Sequence, residues 1–257
     1  MKKVRDISVE DSVYLQQEFE HWFQTLLGRF LLHSERVSID NRINHIFGYN
    51  QIDLSISHRL PVASSSFLGN KMMVVPSWQA GLSNSTVVAS SHELPFAHES
   101  CDLVVLHHTL DFSPNPQQTV KEVSRILKSG GYVVIVGFNP TSLWGFRHFF
   151  SGAHSNVPWR GRFILEKRLE DWLSLLDFDI SSCDYAFYRW PTKRQVFHRF
   201  FEFLESFIKL QLPVGAFYTL VAKKQVAGVV LPRQLWKSSK VVGLPVANRV
   251  QSHFTKE

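Results

Sequence analysis

The chain has 257 residues, 44% of them hydrophobic and 13% aromatic, enough to bury one elaborated α/β domain or two small ones. A formal charge of +6 and a pI near 9.4 leave room for an acidic partner such as nucleic acid or an anionic membrane surface, although excess lysine and arginine also simply solvate a surface. No apolar run reaches the length of a membrane span, and Met1-Lys2-Lys3-Val4-Arg5-Asp6 lacks the apolar stretch of a secretory signal. With only Cys101 and Cys183, a disulfide framework is excluded and a reducing compartment, the cytoplasm, is the expectation.

From Tyr14 to Leu32, Leu15, Phe19, Trp22, Phe23, Leu26, Leu27, Phe30 and Leu31 recur at helical spacing, which predicts an amphipathic helix with an N-cap at Asp11-Ser12. The apolar run at Ile43 to Gly48 reads as a first strand, Met72 to Val75 as a second and Thr86 to Ala89 as a third. Leu103 to Leu106 shows no alternation, as expected of a strand covered on both faces, and it ends on His107-His108. Val120, Val123, Ile126 and Leu127 then recur at helical spacing, with Lys121-Glu122 and Arg125 left for solvent. Gly130-Gly131 supplies a left-handed turn out of that helix into a fifth, non-alternating strand at Tyr132 to Val136. Strand, crossover helix and parallel strand make a right-handed βαβ unit.

After the fifth strand, Phe146, Phe149, Phe150 and Arg147 follow a turn at Gly137 to Trp144 and overhang the same sheet edge. Leu165, Leu169, Trp172, Leu173 and Leu176 form one stripe of a helix over Phe163 to Leu176. Phe178 to Cys183 reads as a sixth strand and Tyr218 to Ala222 as a seventh. Between them lies an aromatic-rich helical insertion, about 190–212, with Arg194, His198, Arg199 and Lys209 interleaved. It suits burial against the sheet, and peripheral membrane contact is the alternative. Residues 225–257 read as a basic tail without periodicity, able to reach a polyanion. The resulting division is a helical cap at 1–40, an α/β domain at 41–224 and the tail.

Several of these residues together carry a resemblance. Leu94-Pro95-Phe96 after the third strand, Cys101-Asp102 opening the fourth, Leu110-Asp111 after it and Arg125-Ile126-Leu127-Lys128-Ser129-Gly130-Gly131 before the fifth follow one another in order. This series resembles the second half of the class I S-adenosylmethionine-dependent methyltransferases. Gly137-Phe138-Asn139-Pro140 with Ser142-Leu143-Trp144-Gly145 is similar to a bacterial branch of the type 11 methyltransferase-domain proteins. The resemblance implies a Rossmann-like fold: an α/β, doubly wound, mostly parallel seven-stranded sheet with an antiparallel last strand.

It also implies S-adenosyl-L-methionine as cofactor. The family's acidic-x-Gly-x-Gly loop would fall on Asn44-His45-Ile46-Phe47-Gly48-Tyr49-Asn50, where Gly48 is the one glycine and Asn50 tolerates left-handed geometry. The ribose-binding acid after the second strand is replaced by Pro76-Ser77, and the Asp that contacts adenine is replaced by Ser90. Ser91, Leu94, Leu106 and His107 complete the implied cofactor contacts, beside Phe47, Gly48, Asn50, Pro76, Ser77 and Ser90. His107 is the candidate general base, since imidazole titrates near neutrality; His108, pointing the other way, packs or caps the following helix. A metal site on the pair with Asp111 lacks further spaced ligands.

The function implied is methyl transfer from S-adenosylmethionine to an unidentified acceptor, a small molecule. The three altered positions at Gly48, Pro76-Ser77 and Ser90 support an alternative, a catalytically degenerate binding or scaffold protein. Nucleic-acid binding through the tail is a third reading.

Overall fold

The computed structural model describes residues 9–150, 157–188 and 214–226, with side chains from Tyr14 onward. The chain divides into a unit of residues 1–226 and a second of residues 227–257. The second unit, with nearly all of the predicted tail, and the predicted insertion at 190–212 lie outside the described residues.

The described elements are α1 (Val9–Gln24), α2 (Leu26–Ile43), β1 (Asn50–Ser55), β2 (Asn70–Val75), β3 (Thr86–Val88), β4 (Cys101–His107) and α3 (Thr109–Phe112). They continue through α4 (Pro116–Ile126), β5 (Leu127–Phe138), α5 (Leu143–Phe150), α6 (Glu166–Ser174), β6 (Phe178–Ala186) and β7 (Phe217–Lys224). The strands form one seven-stranded sheet in the order β3-β2-β1-β4-β5-β7-β6. The pairings from β3 to β5 are parallel, and β7 runs antiparallel between β5 and β6, as the resemblance implies.

The unbroken apolar runs of β4 and β5 have a direct cause: both faces of the sheet are covered. Leu103, Val105, Val134 and Val136 point into one core with Phe19 and Phe23 of α1 and Leu31 and Ile39 of α2. Val104, Leu106, Val133 and Ile135 point into the other with Val120, Val123 and Ile126 of α4 and Leu169 and Leu173 of α6. Residues alternate between the two faces with the strand period of two. Burial on this scale, at roughly 25 cal/mol per Å² of apolar surface, is the main source of stability.

Three sequence expectations change. The helix predicted over Tyr14 to Leu32 is two helices, and α1 already begins at Val9, ahead of Asp11-Ser12. Thr25 breaks it: its extended backbone caps α2, with Oγ1 accepting from Gly28 N at 3.2 Å and donating to the Trp22 carbonyl at 2.6 Å. The predicted boundary at residue 40 therefore falls inside α2.

The first strand is not Ile43 to Gly48. Ile39 and Ile43 belong to the buried face of α2, Ile46 is buried in the segment after it, and the strand is Asn50–Ser55, four of whose six residues are polar. Gly130-Gly131 does not end α4, which stops at Ile126 and passes straight into strand geometry at Leu127. The two glycines lie in an irregularity of β5, between the pairs Cys101–Leu127 and Leu103–Tyr132, with Gly130 at φ +84°.

Candidate functional site

In the sheet order the connections leaving β1 and β4 run to opposite sides, so the carboxyl ends of these neighbours open a crevice at the switch point. A cavity of about 190 Å³ occupies it. Its walls come from Leu54, Ser55 and Ile56 at the end of β1, Val74 to Pro76 at the end of β2, Ala89 to His92 after β3, and Thr109 and Phe112 to Pro114 after β4. Leu15 of α1 closes the remaining side. Thr109 Oγ1 donates to the Leu54 carbonyl at 2.7 Å and ties the first and fourth strands' ends together. No acidic side chain is among the lining residues.

Of the residues expected to meet the cofactor, Pro76, Ser90 and Ser91 line this cavity. Ser90 Oγ lies 2.8 Å from His92 Nδ1, and Ser91, Ser113 and Thr119 share a small hydroxyl network. Ser77 is buried and turned away, donating to Gln16 Oε1 of α1 at 2.6 Å. Leu94 and Leu106 are core residues on the α4 side of the sheet.

Phe47, Gly48 and Asn50 are at the opposite, amino-terminal edge. There Asp102 Oδ2 accepts from Tyr49 N and Asn50 N, both at 3.0 Å, and Oδ1 accepts from Lys128 Nζ at 2.8 Å. Gly48 is needed for that packing, because a Cβ on it would lie 2.5 Å from Asp102 Cβ. Phe47 is 76% exposed and stacks on Phe67. These residues lie there because β1 begins at Asn50 rather than at Ile43.

With β1 at Asn50–Ser55, the acidic-x-Gly-x-Gly spacing falls on Asp53-Leu54-Ser55-Ile56-Ser57, with serine at both glycine positions. None of these residues has a positive φ, so the loop needs no glycine for its backbone. Both hydroxyls have partners: Ser55 Oγ accepts from Ser57 N at 3.4 Å, and Ser57 Oγ donates to Glu20 of α1. Burial pushes the Asp53 carboxyl up to about 7, against a bond from Gln51 and the charge of Lys71.

Behind the crevice lies a cluster that the sequence does not reveal. Glu35, on α2, is fully buried and accepts from His107 Nε2 at 3.0 Å and His108 Nε2 at 2.8 Å. His108 Nδ1 meets Asp111 Oδ2 at 2.8 Å, and the same oxygen accepts from Phe138 N at 3.0 Å. His108 therefore does not cap α3. It sits at that helix's N-cap position without a side-chain capping bond, and its left-handed backbone, φ +52°, swings its ring round to the carboxylate that His107 also reaches. This is why adjacent side chains leaving a strand meet one partner. Such a conformation costs about 1–3 kcal/mol in a non-glycine residue and persists only where other contacts impose it.

Aromatic rings seal the cluster. Phe138 stacks on His108 at 4.0 Å between centroids, and Phe19 and Phe23 pack edge-on or tilted against the two imidazoles. Burial alone would raise the Glu35 carboxyl, yet the His108 charge and the bonds from both imidazoles bring it down to about 2. Burial would likewise lower His108, but the charge of Glu35 and bonds to Asp111 and Glu35 carry it up to about 9. His107 is held low by burial, and its buried Nδ1 has no partner. The pair is thus an imidazolium, His108, held by the Glu35 carboxylate on one side and bonded on the other to Asp111, whose carboxyl burial pushes up, beside a neutral His107. His107 does not line the cavity. Glu35, His107 and His108 also place one potential metal-ligand atom each within 4.8 Å of one another; Glu35 is 72 residues from His107, so no spacing motif could show it.

The strand order, the antiparallel seventh strand and the switch-point crevice define a Rossmann-like, class I methyltransferase fold. A methyltransferase-domain family profile matches residues 70–135. The uncharacterized protein YafS of Escherichia coli (strain K12) is 30% identical over 166 residues, covering 65% of this chain and 59% of that protein. Malonyl-[acyl-carrier protein] O-methyltransferase 1 of Coxiella burnetii is 32% identical over 75 residues, covering 29% of this chain and 27% of that protein. These alignments span less than two thirds of the curated relatives' own length. An S-adenosylmethionine-dependent methyltransferase of Thermotoga maritima superposes with a TM-score of 0.62 at 20% identity, over 81% of this chain and 96% of that one. The chain thus shares the fold of the S-adenosylmethionine-dependent methyltransferases, and its residues 70–135 match a methyltransferase domain.

Proposed function

We propose that the protein transfers a methyl group from S-adenosyl-L-methionine to a small-molecule acceptor, with the switch-point crevice holding the cofactor. The observation that carries this reading is the crevice itself, in which the segments after β1, β2, β3 and β4 converge. Its walls suit the group in kind: Val74, Val75, Ala89 and Phe112 offer apolar contact to an adenine ring, and Ser90, Ser91 and His92 offer polar groups to its edge. The chain around Ser55 and Ile56 would meet the amino-acid end. Nothing acidic stands ready for the ribose diol, since Pro76 lines the wall and Ser77 is committed to Gln16.

With Leu15 in place the cavity, about 190 Å³, is smaller than typical small-molecule pockets of roughly 300–1,000 Å³. Leu15 of α1 is the side chain that narrows it. When bound, the cofactor supplies an already activated methyl group on a sulfonium. The protein's task is to bring an acceptor into line with it and to exclude water, which needs no dedicated nucleophile. The buried Glu35–His108–Asp111 clamp fixes the end of β4 and the start of α3, from which Thr109 and Phe112 reach the crevice. It serves positioning rather than proton transfer.

Nothing among the relatives favours the degenerate scaffold reading. Both cysteines are free thiols, and no helix among the described residues is long and apolar enough to cross a membrane. Those facts support the cytoplasm as the place of action. Calorimetric titration with S-adenosylhomocysteine tests the proposal: micromolar, saturable binding is expected, and absence of heat at millimolar ligand on folded protein would refute it.

A further inference from the structure

A second cavity, of about 590 Å³, opens at the same sheet edge. The segment after β4 (Pro114 to Gln117), the segment after β5 (Pro140 and Thr141) and the run from Arg162 into α6 bound it, and Pro114 lines both cavities. Its size lies within the small-molecule range, roughly 300–1,000 Å³. Its lining includes two arginines, Arg162 and Arg168, and no acid.

Four arginines elsewhere are matched to carboxylates, Arg42 with Asp184, Arg59 with Glu20, Arg125 with Glu122 and Arg160 with Glu18, while Arg29 and Arg36 donate to the Gln24 side chain and the Pro61 carbonyl. Neither Arg162 nor Arg168 has a carboxylate partner among the described residues. The Arg168 guanidinium lies over the Trp172 ring, 5.2 Å from its centroid, which holds it without neutralising it. The backbone of Arg162 is fixed too, its N–H donating to the Asp111 carbonyl at 2.6 Å, so the buried clamp also positions this strand of the wall. Phe163 beside it stacks on Phe138 at 5.0 Å. One guanidinium held over Trp172 and a second, on a fixed stretch of backbone, line an apolar-floored cavity without an acid, a site complementary to an anion carried on an apolar or aromatic body.

We propose that this cavity is the acceptor site and that the methyl acceptor bears a carboxylate or phosphate bound by Arg162 and Arg168. The proposal rests on the reading of the neighbouring crevice as the cofactor site. Its test uses benzoate and phenyl phosphate as probes, with benzamide as the uncharged isostere, titrated by calorimetry with and without S-adenosylhomocysteine. Both anions should bind, more weakly as salt rises, and benzamide at least about tenfold more weakly, the worth of one charge-assisted hydrogen bond. Stronger binding of one anion tells a carboxylate from a phosphate acceptor.

Arg162→Gln and Arg168→Gln should each weaken anion binding about tenfold and leave the affinity for S-adenosylhomocysteine unchanged, since neither lines the cofactor crevice. Arg168→Lys should retain part of it. The proposal is overturned if no anion binds, if benzamide binds as well as benzoate, if the glutamine variants bind like the parent, or if S-adenosylhomocysteine displaces the anions. Loss of nucleotide binding alongside intact, arginine-dependent anion binding would sink the cofactor reading and spare the anion site.

Discussion

The two edges of the sheet handle charge in opposite ways. At the amino-terminal edge Asp102, its side chain 19% exposed, gathers Tyr49 N, Asn50 N and Lys128 in an ordinary turn, and water shares the work. At the carboxyl-terminal edge Glu35, His107, His108 and Asp111 are sealed from solvent, one of them on a strained backbone, directly behind two cavities. Buried charge is costly unless every partner is present, so its concentration at one edge marks where the fold demands fixed geometry. A turn that water can repair makes no such demand.

The sharpest way to break this comparison is to remove one buried partner. Glu35→Gln leaves the His108 imidazolium without its main counter-charge and should cost about 3–5 kcal/mol, read from urea unfolding. A loss as small as that of a surface ion pair would show that the cluster is not charged as described. Gly48→Ala, at the other edge, forces a Cβ against Asp102 and should cost about 1–3 kcal/mol by overpacking, with no change in affinity for S-adenosylhomocysteine. A specific loss of nucleotide affinity in that variant would return Gly48 to the site.

Legibility in the sequence follows the same division. Strands β4 and β5 and helix α4 could be read because their apolar patterns record burial on two faces or one. Strand β1 could not: Gln51, Asp53 and Ser55 are buried polar residues, Gln51 bonding both Asp53 and Ser66, and only Ile52 and Leu54 carry an apolar signal. The acidic residue with small residues two and four places on, Asp53, Ser55 and Ser57, was the one mark that could have fixed the loop. Ser90 and Ser91 could be assigned to the segment after the third strand, where they line the crevice, because the Leu94-Pro95-Phe96 run anchors their register. Glu35 was illegible, since nothing in an amphipathic helix shows which polar residue will meet a strand end far along the chain.

Titration gives a gentler probe of the buried edge. His108 is raised to about 9 in the folded protein, so its contribution is complete below its ordinary value of 6.5 and is lost as pH rises toward 9. Glu35, lowered to about 2, contributes fully above 4.5 and loses its share as pH falls toward 2. Urea midpoints should therefore decline between pH 6.5 and 9, and His108→Gln should flatten that decline. An unchanged slope in the variant would assign the pH dependence to other groups.

The smallest effect expected is at the crevice wall. Leu15→Ala removes the side chain that narrows the cofactor cavity and should tighten S-adenosylhomocysteine binding a few-fold, while costing stability as a core truncation does. Weaker binding would mean that Leu15 is a contact rather than an obstruction.

The most direct test is a crystal structure of the protein with S-adenosylhomocysteine. Density for the adenosyl group between Ile56, Pro76 and the Ser90–His92 turn is the result expected. Density beside Gly48 and Asn50 at the other edge, or an empty crevice in crystals soaked at saturating ligand, would contradict the account.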